Sequence, residues 1–253
     1  PDDPSALPSA YARFEGALIE AASRPDVPAR LDSAARAGVA LAGKFETISD
    51  GIQDMRLEAD QAIKRMVDKL NSSLEQVAEL NALIFNSTSN GQDVAGLHDQ
   101  RQVLIDGIAE IVPLRQVQRE GGKVALFTPT GGLLLEGTAA EVGFSSVNLI
   151  TPDMTLGSGA LSCLTLNGNP VRTSGANAPF AGGALHALFA ERDEIMVEAQ
   201  ASLDMMARDL VERFQDPALD TTLGAGDAGL FTDGGAAFLA ADEEGLSARL
   251  EFN

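Results

Sequence analysis

Between Val27 and Phe85 apolar side chains recur at helical spacing, from Phe45 to Val77 in steps of three and four: Leu31, Phe45, Ile48, Ile52, Met55, Ala59, Ile63, Met66, Leu70, Leu74, Val77 and Ile84. That interval holds them on one side of an α-helix. After Pro28 the stretch has no proline and is filled with strong helix formers, so the spacing predicts a nearly continuous helix of about 85 Å at roughly 1.5 Å per residue. Gly38, Gly43 and Gly51 are its weak points. Each costs about 1 kcal/mol relative to Ala, and a bend is expected near them.

Upstream, Ser9 is placed to cap a shorter helix through Phe14, Leu18 and Ile19 that ends near Arg24-Pro25. Downstream, Asn86 to Gly91 is a polar loop. Asp93 then caps a third helix, with Leu97, Leu104, Ile105, Ile108 and Ile111 inward and Pro113 as its stop. From Leu114 to Val171 the period falls to two, in short runs at Lys123 to Phe127, Val147 to Ile150 and Leu161 to Leu166 broken by Gly, Pro and Asn. Gly182-Gly183 closes this β region. Leu185, Leu188, Ile195, Met196, Ala199, Leu203, Met206, Leu210 and Phe214 then form another long helical stripe, ended by Asp216-Pro217. A Gly- and Asp-rich loop from Gly224 to Gly235 leads to a strand-like segment, Leu246 to Phe252. The expected fold is mainly α with a small β region, an elongated bundle of long helices carrying a β module. Its segments are 1–113 (long helices), 114–181 (β-rich), 182–217 (a helix returning to the bundle) and 218–253 (loop and terminal β segment).

Composition supports a folded protein: 45% apolar, 22% charged, with mean hydropathy near zero. One Tyr and no Trp leave Leu, Ile, Val, Met, Ala and a few Phe to build the core, which suits helix packing. The formal net charge of −19 repels phosphate backbones and anionic lipid, so neither nucleic acid nor membrane is an expected partner. The lone cysteine, Cys163, rules out an internal disulfide and is expected to be a small buried hydrophobe. No signal peptide opens the chain, which begins Pro-Asp-Asp-Pro without an initiator Met and reads as a fragment.

Candidate chemistry is thin. His98 and His186 lie far apart, each in an ordinary helical stretch, and no Gly-x-Ser-x-Gly elbow accompanies them. Leu97 to Arg101 reads as a helix turn in which Asp99 and Arg101 make local polar contacts. Gly224, Gly226 and Gly229 match the dinucleotide pattern Gly-x-Gly-x-x-Gly, yet no apolar strand precedes them and no helix follows. Asp220, Asp227 and Asp233 miss the EF-hand spacing. The expectation is no catalytic, cofactor-binding or metal-binding residue, and no enzyme; whether the Gly/Asp loop takes calcium is left open.

Three stretches, in order, resemble the flagellar hook-associated protein 1 family, which joins hook to filament. The first is Leu70 to Ile84, similar to a long-helix motif with two asparagines ten apart, here Asn71 and Asn81. The second, Leu97 to Ile111, resembles a Leu-x-Asp-x-Arg-Asp helix, with Gln102 in place of the last Asp. The third, Gly182 to Asp193, is similar to a Gly-Gly-x-Leu…Arg-Asp element, and the loop leading to Leu230-Phe231 also fits. The resemblance implies a structural adaptor exported unfolded by the flagellar type III apparatus to the extracellular flagellum, with an export chaperone for the full-length protein. Its partners would be hook protein and neighbouring junction or filament proteins. Family members build an inner tube from terminal helical segments not visible here, so outer-facing domains, monomeric in solution, are expected. Another axial protein (a flagellin or the second junction protein) and a cytoplasmic helical binding module remain alternatives.

Overall fold

The computed structural model describes residues 6–224 and 226–253. The helices are α1 (Leu7–Ser23), α2 (Pro28–Ser89), α3 (Ala95–Ile111), α4 (Gly183–Ala190), α5 (Met196–Gln215) and α6 (Leu246–Arg249). The strands are β1 (Arg115–Gln118), β2 (Val124–Phe127), β3 (Leu133–Glu136), β4 (Thr138–Ala139), β5 (Val142–Gly143), β6 (Leu164–Leu166), β7 (Asn169–Val171), β8 (Phe231–Asp233) and β9 (Leu250–Phe252). A mainly helical fold with small antiparallel sheets is therefore what forms. Two compact units divide it. One takes the described part of Pro1–Asp54, with Thr151–Asp153 and Met196–Asn253; the other takes Met55–Ile150 and Met154–Ile195. That division falls inside α2, which supplies residues to both.

In the first unit the N-terminal part of α2 buries Leu41, Ala42, Phe45 and Ile52 against Leu203, Ala207, Leu210 and Val211 of α5 and Leu7, Ala10 and Phe14 of α1. Aromatic edges complete this core. Phe14 lies 5.4 Å from Phe231 and 5.9 Å from Phe214 in edge-on geometry, and Phe231 lies 5.3 Å from Phe252. Gly38, read as a weak point, has a packing reason instead: the Phe252 ring occupies the space a Cβ would need. A buried polar cluster ties the elements together. Asp204 accepts hydrogen bonds from Gly245 N (2.8 Å) and Ser247 N (2.9 Å), capping α6, while Ser49 and Gln53 donate to Gln200 Oε1.

Several expectations for this unit are corrected. Ser9 is not a cap: α1 begins at Leu7, with Pro8 in its first turn, where a missing N–H costs nothing. Leu31 and Met206 are exposed. The segment Leu246–Phe252 is a helical turn before a short strand, because Asp204 satisfies the amides that would otherwise have to pair in a sheet.

In the second unit Ile63, Val67, Leu70, Leu74 and Val77 of α2 pack with Ile105, Ile108 and Ile111 of α3, with Leu185 and Phe189 of α4, and with strand residues Val124, Leu126, Leu134 and Leu164. One sheet has the order β1-β2-β3-β4 and the other β5-β6-β7, both antiparallel. Pre-proline Val112 is extended, so Pro113 ends α3 as expected. Asp93 Oδ1 accepts from Ala95 N at 3.0 Å, although Val94 holds the formal cap position.

Here too the structure departs from expectation. α2 runs to Ser89 and absorbs most of the anticipated polar loop, its last turn carrying a Ser89 hydroxyl bond to Phe85 O. Val147 to Ile150 is not a strand, since Val147 N donates to a helix side chain and Ile150 is buried as a single plug. Only Leu164–Leu166 of the Leu161 to Leu166 run is strand, and Cys163 is half-buried. Met55 is exposed. The stripe after Gly183 is interrupted by a π-helical turn, Glu191–Ile195, which turns Arg192 inward and leaves Ile195 exposed.

Tyr11 offers a direct check on packing in the first unit. Burial raises its phenol from 10.0 to about 12, Asp209 adding to the effect and Arg213 opposing it. The folded state thus binds more protons between those values. Its contribution is complete below pH 10 and is lost as pH rises through about 12. Because it is the sole tyrosine, an ultraviolet titration of the folded chain should show phenolate appearing well above pH 10. A midpoint at 10 would mean that the phenol is not desolvated.

Candidate functional site

The polar residues of α2 that matter most in the second unit are Asp60, Asn71 and Asn81. They are eleven and ten residues apart, close to three helical turns each, so they fall within about a quarter of the helix circumference. Each reaches a different part of the β region.

Asn81, 5% exposed, donates through Nδ2 to Val124 O (2.8 Å) and accepts from Val124 N (3.1 Å) through Oδ1. A side-chain amide presents the same donor and acceptor pair as a peptide unit, so Asn81 pairs with β2 much as a neighbouring strand would. Asn71 does the same for β5, with Nδ2 to Val142 O at 2.8 Å and Val142 N to Oδ1 at 2.9 Å. β5 is an edge of its sheet, and Asn71 satisfies polar groups that its strand neighbour β6 does not reach.

Arg101 of α3 locks the first of these clamps. Its Nη1 donates to Asn81 Oδ1 (2.9 Å) and to Gly122 O (2.7 Å), and its Nη2 lies 3.0 Å from His98 Nδ1. Burial lowers the Arg101 pKa. The contacts extend well beyond the local turn that the sequence suggested; Asp99 is simply exposed.

Asp60 anchors the third point. Its side chain and that of Arg192 are wholly buried and paired at 2.5 Å, and its other oxygen accepts from Val147 N at 2.9 Å. Arg192 also holds Asp193 (2.7 Å) and Ser162 O (3.1 Å), with its guanidinium 5.0 Å from the Phe189 ring centre. Burial pulls the Arg192 pKa down, but the bonds from Asp193 and Asp60 outweigh it and leave it raised. Arg56 adds bonds to Arg192 O (3.0 Å) and Met154 O (2.5 Å). The π-helical turn is what brings the Arg192 side chain and carbonyl to these partners. Gly183 fixes the approach of α4: at φ +79 a Cβ there would lie 2.7 Å from Ile111 O.

These groups face one another and the backbone, so what they do is set geometry. The residues weighed as catalytic or ligating do not converge. His98 contacts Arg101, whereas His186 Nε2 is buried without a hydrogen-bond partner among the described residues. In the glycine fingerprint, Gly224 N donates to Asp227 Oδ2 and Gly226 has φ +84. Gly229 is required by contact with Phe214 O, and Ala225 lies outside the described residues. β8, not a helix, follows the fingerprint. Asp220 bonds to Thr222 and Asp233 to Arg249, so the three loop aspartates each have separate partners. Among the described residues no helix is long and apolar enough to cross a membrane.

Asn71, Asn81, Gly183 and Arg192 are legible in the sequence only as parts of motifs, and Arg101 as a local polar contact of its own helix turn. Sequence reasoning missed Asp60 and Arg56. A charged residue inside an otherwise apolar helical seam, as Asp60 is between Ala59 and Ile63, was the available signal.

Asp60, Asn71, Asn81, Arg101 and Arg192 hold backbone and one another in place within a helical scaffold. The comparisons give the family. Residues 2–229 match the model of the flagellar hook-associated protein FlgK helical domain, and the chain belongs to that family. It is 28% identical over 134 residues to flagellar hook-associated protein 1 of Bacillus subtilis (strain 168), covering 53% of this chain and 26% of that protein. Against the Escherichia coli (strain K12) protein of the same name it is 26% identical over 139 residues, 54% of this chain and 25% of the relative. The chain thus aligns with about a quarter of these relatives' length. The solved flagellar hook junction protein FlgK of Burkholderia pseudomallei shares the fold, with TM-score 0.74 and 20% identity over 92% of this chain and 42% of that one.

Removing Asp60 leaves Arg192 buried with Asp193 as its remaining carboxylate, so Asp60→Ala should cost about 3–5 kcal/mol in a urea melt; a loss under about 1 kcal/mol would contradict the anchoring role. Asn81→Leu, which strands the Val124 backbone and removes a partner of Arg101, should cost about 3 kcal/mol, against roughly 1–2 kcal/mol for half-buried Asn71→Leu. Amide exchange at Val124 and Val142 should accelerate in the respective variants.

Proposed function

We propose that the full-length protein is a structural component of the bacterial flagellum, an adaptor at the junction between hook and filament, and not an enzyme. Membership of the FlgK helical-domain family over residues 2–229 is the observation that carries this reading. Its relatives are named hook-associated proteins, and the structurally similar Burkholderia protein is titled a hook junction protein. The buried Asp60, Asn81, Arg101 and Arg192 network supports a scaffold role, since its hydrogen bonds run to internal backbone and to one another.

In this reading the partners are hook protein on one side and neighbouring junction or filament proteins on the other. The full-length protein is handled by an export chaperone in the cytoplasm and secreted to the extracellular flagellum. The 253-residue chain by itself is a monomer in solution.

Deleting the gene should leave hooks in place and filaments absent by electron microscopy, with the full-length gene restoring filaments. Normal filaments in the deletion strain would overturn the proposal.

A further inference from the structure

In the second unit, α2 and α3 leave a groove of about 450 Å³ lined by Leu80, Leu83, Val103 and Leu104, with Gln76 and Glu79 among its polar members. The adjoining faces of both helices are already used, since Val77, Ile84, Ile105 and Ile108 are in the core. Leu104 is partly buried and packs against that core, whereas Leu83, 52% exposed, and Val103, 71%, are surplus to it. Adjacent exposed apolar side chains across two helices are a common mark of a binding surface.

Charge decides the kind of partner. From Asn71 to Ile111 there are six carboxylates, Glu75, Glu79, Asp93, Asp99, Asp106 and Glu110, and the only Lys or Arg is the buried Arg101. Glu79 lines the groove. Asp99 and Asp106 stand four residues before and three after Val103, so helix geometry sets both exposed carboxylates beside it. A second copy would present the same acidic surround and a net charge of −19, which opposes self-association through this face.

We infer that this groove docks an amphipathic helix of another protein, with apolar residues at i, i+3 or i+4, and i+7 and with Lys or Arg along its flanks. The apolar stripe fills the space between Leu83 and Val103, and the basic flanks meet Glu79, Asp99 and Asp106. The inference is independent of the junction reading, because failure of the binding test leaves the gene-deletion result unchanged.

The test uses a fluorescent synthetic peptide with Leu at helical spacing and Lys between, titrated with the 253-residue chain by anisotropy. A second peptide has the same composition with Leu on alternate positions. The first should bind and the second should bind at least severalfold more weakly, since only a helical stripe matches the groove. Val103→Asp and Leu83→Asp, both at exposed positions, should each weaken binding by roughly tenfold or more. Val39→Asp, exposed in the first unit, should not. Circular dichroism melts confirm that the variants fold. Equal binding of both peptides, or binding unmoved by Val103→Asp, would overturn the proposal. So would concentration-dependent self-association of the chain that Val103→Asp abolishes, which would assign the groove to a second copy.

Discussion

Short strands laid against a helix present backbone N–H and C=O groups that neither the helix nor the neighbouring strand can satisfy, and the second unit depends on how that deficit is met. Asn81 and Asn71 meet it with side-chain amides that stand in for missing strands. Their spacing on α2 sets where β2 and β5 lie along it. Arg101, itself held by Gly122 O, then fixes Asn81, so the clamp is held in one orientation. Apolar packing alone would tolerate small slippage of such short strands. Paired amide bonds do not.

The Asp60–Arg192 pair works by a different balance. Burying two charges is unfavourable, and their attraction repays it only when further hydrogen bonds satisfy the remaining lone pairs and protons. Here Val147 N, Ser162 O and Asp193 supply them. An apolar pair of similar volume could fill the space, yet it could not hold a loop carbonyl, a loop amide and a π-helical turn in a fixed relation. The charge therefore contributes specificity more than net stability. The π-helical turn is part of the same solution, since it accompanies the inward placement of Arg192.

The long apolar stripe of α2, the end of α3 at Pro113 and the helical character beyond Gly183 were legible in the sequence because three- and four-residue periodicity and proline act locally. Boundaries set by distant partners were not. Leu246–Phe252 alternates like a strand, but its first half is helical because Asp204, over forty positions away, supplies its cap. Val147 to Ile150 has strand-like composition, and its backbone goes to Asp60. The motif residues Asn71, Asn81 and Arg192 could be recognised as a pattern, whereas their purpose needed the partners that only the fold assembles. Gly38 is similar: an apparent helix defect until the Phe252 ring is placed beside it.

The nesting of the two units along the chain sets an order on folding. The second unit draws its parts from one nearly unbroken stretch, Met55 to Ile195, so its contacts can form while the remaining chain is still missing. The first cannot close early. Phe14 packs on Phe214 and Phe231, and Phe231 on Phe252, contacts that join the two ends of the sequence across some two hundred residues. For a chain that emerges amino end first, that aromatic cluster completes after the second unit's core, because α1 and the start of α2 bury their apolar faces against α5, β8 and β9.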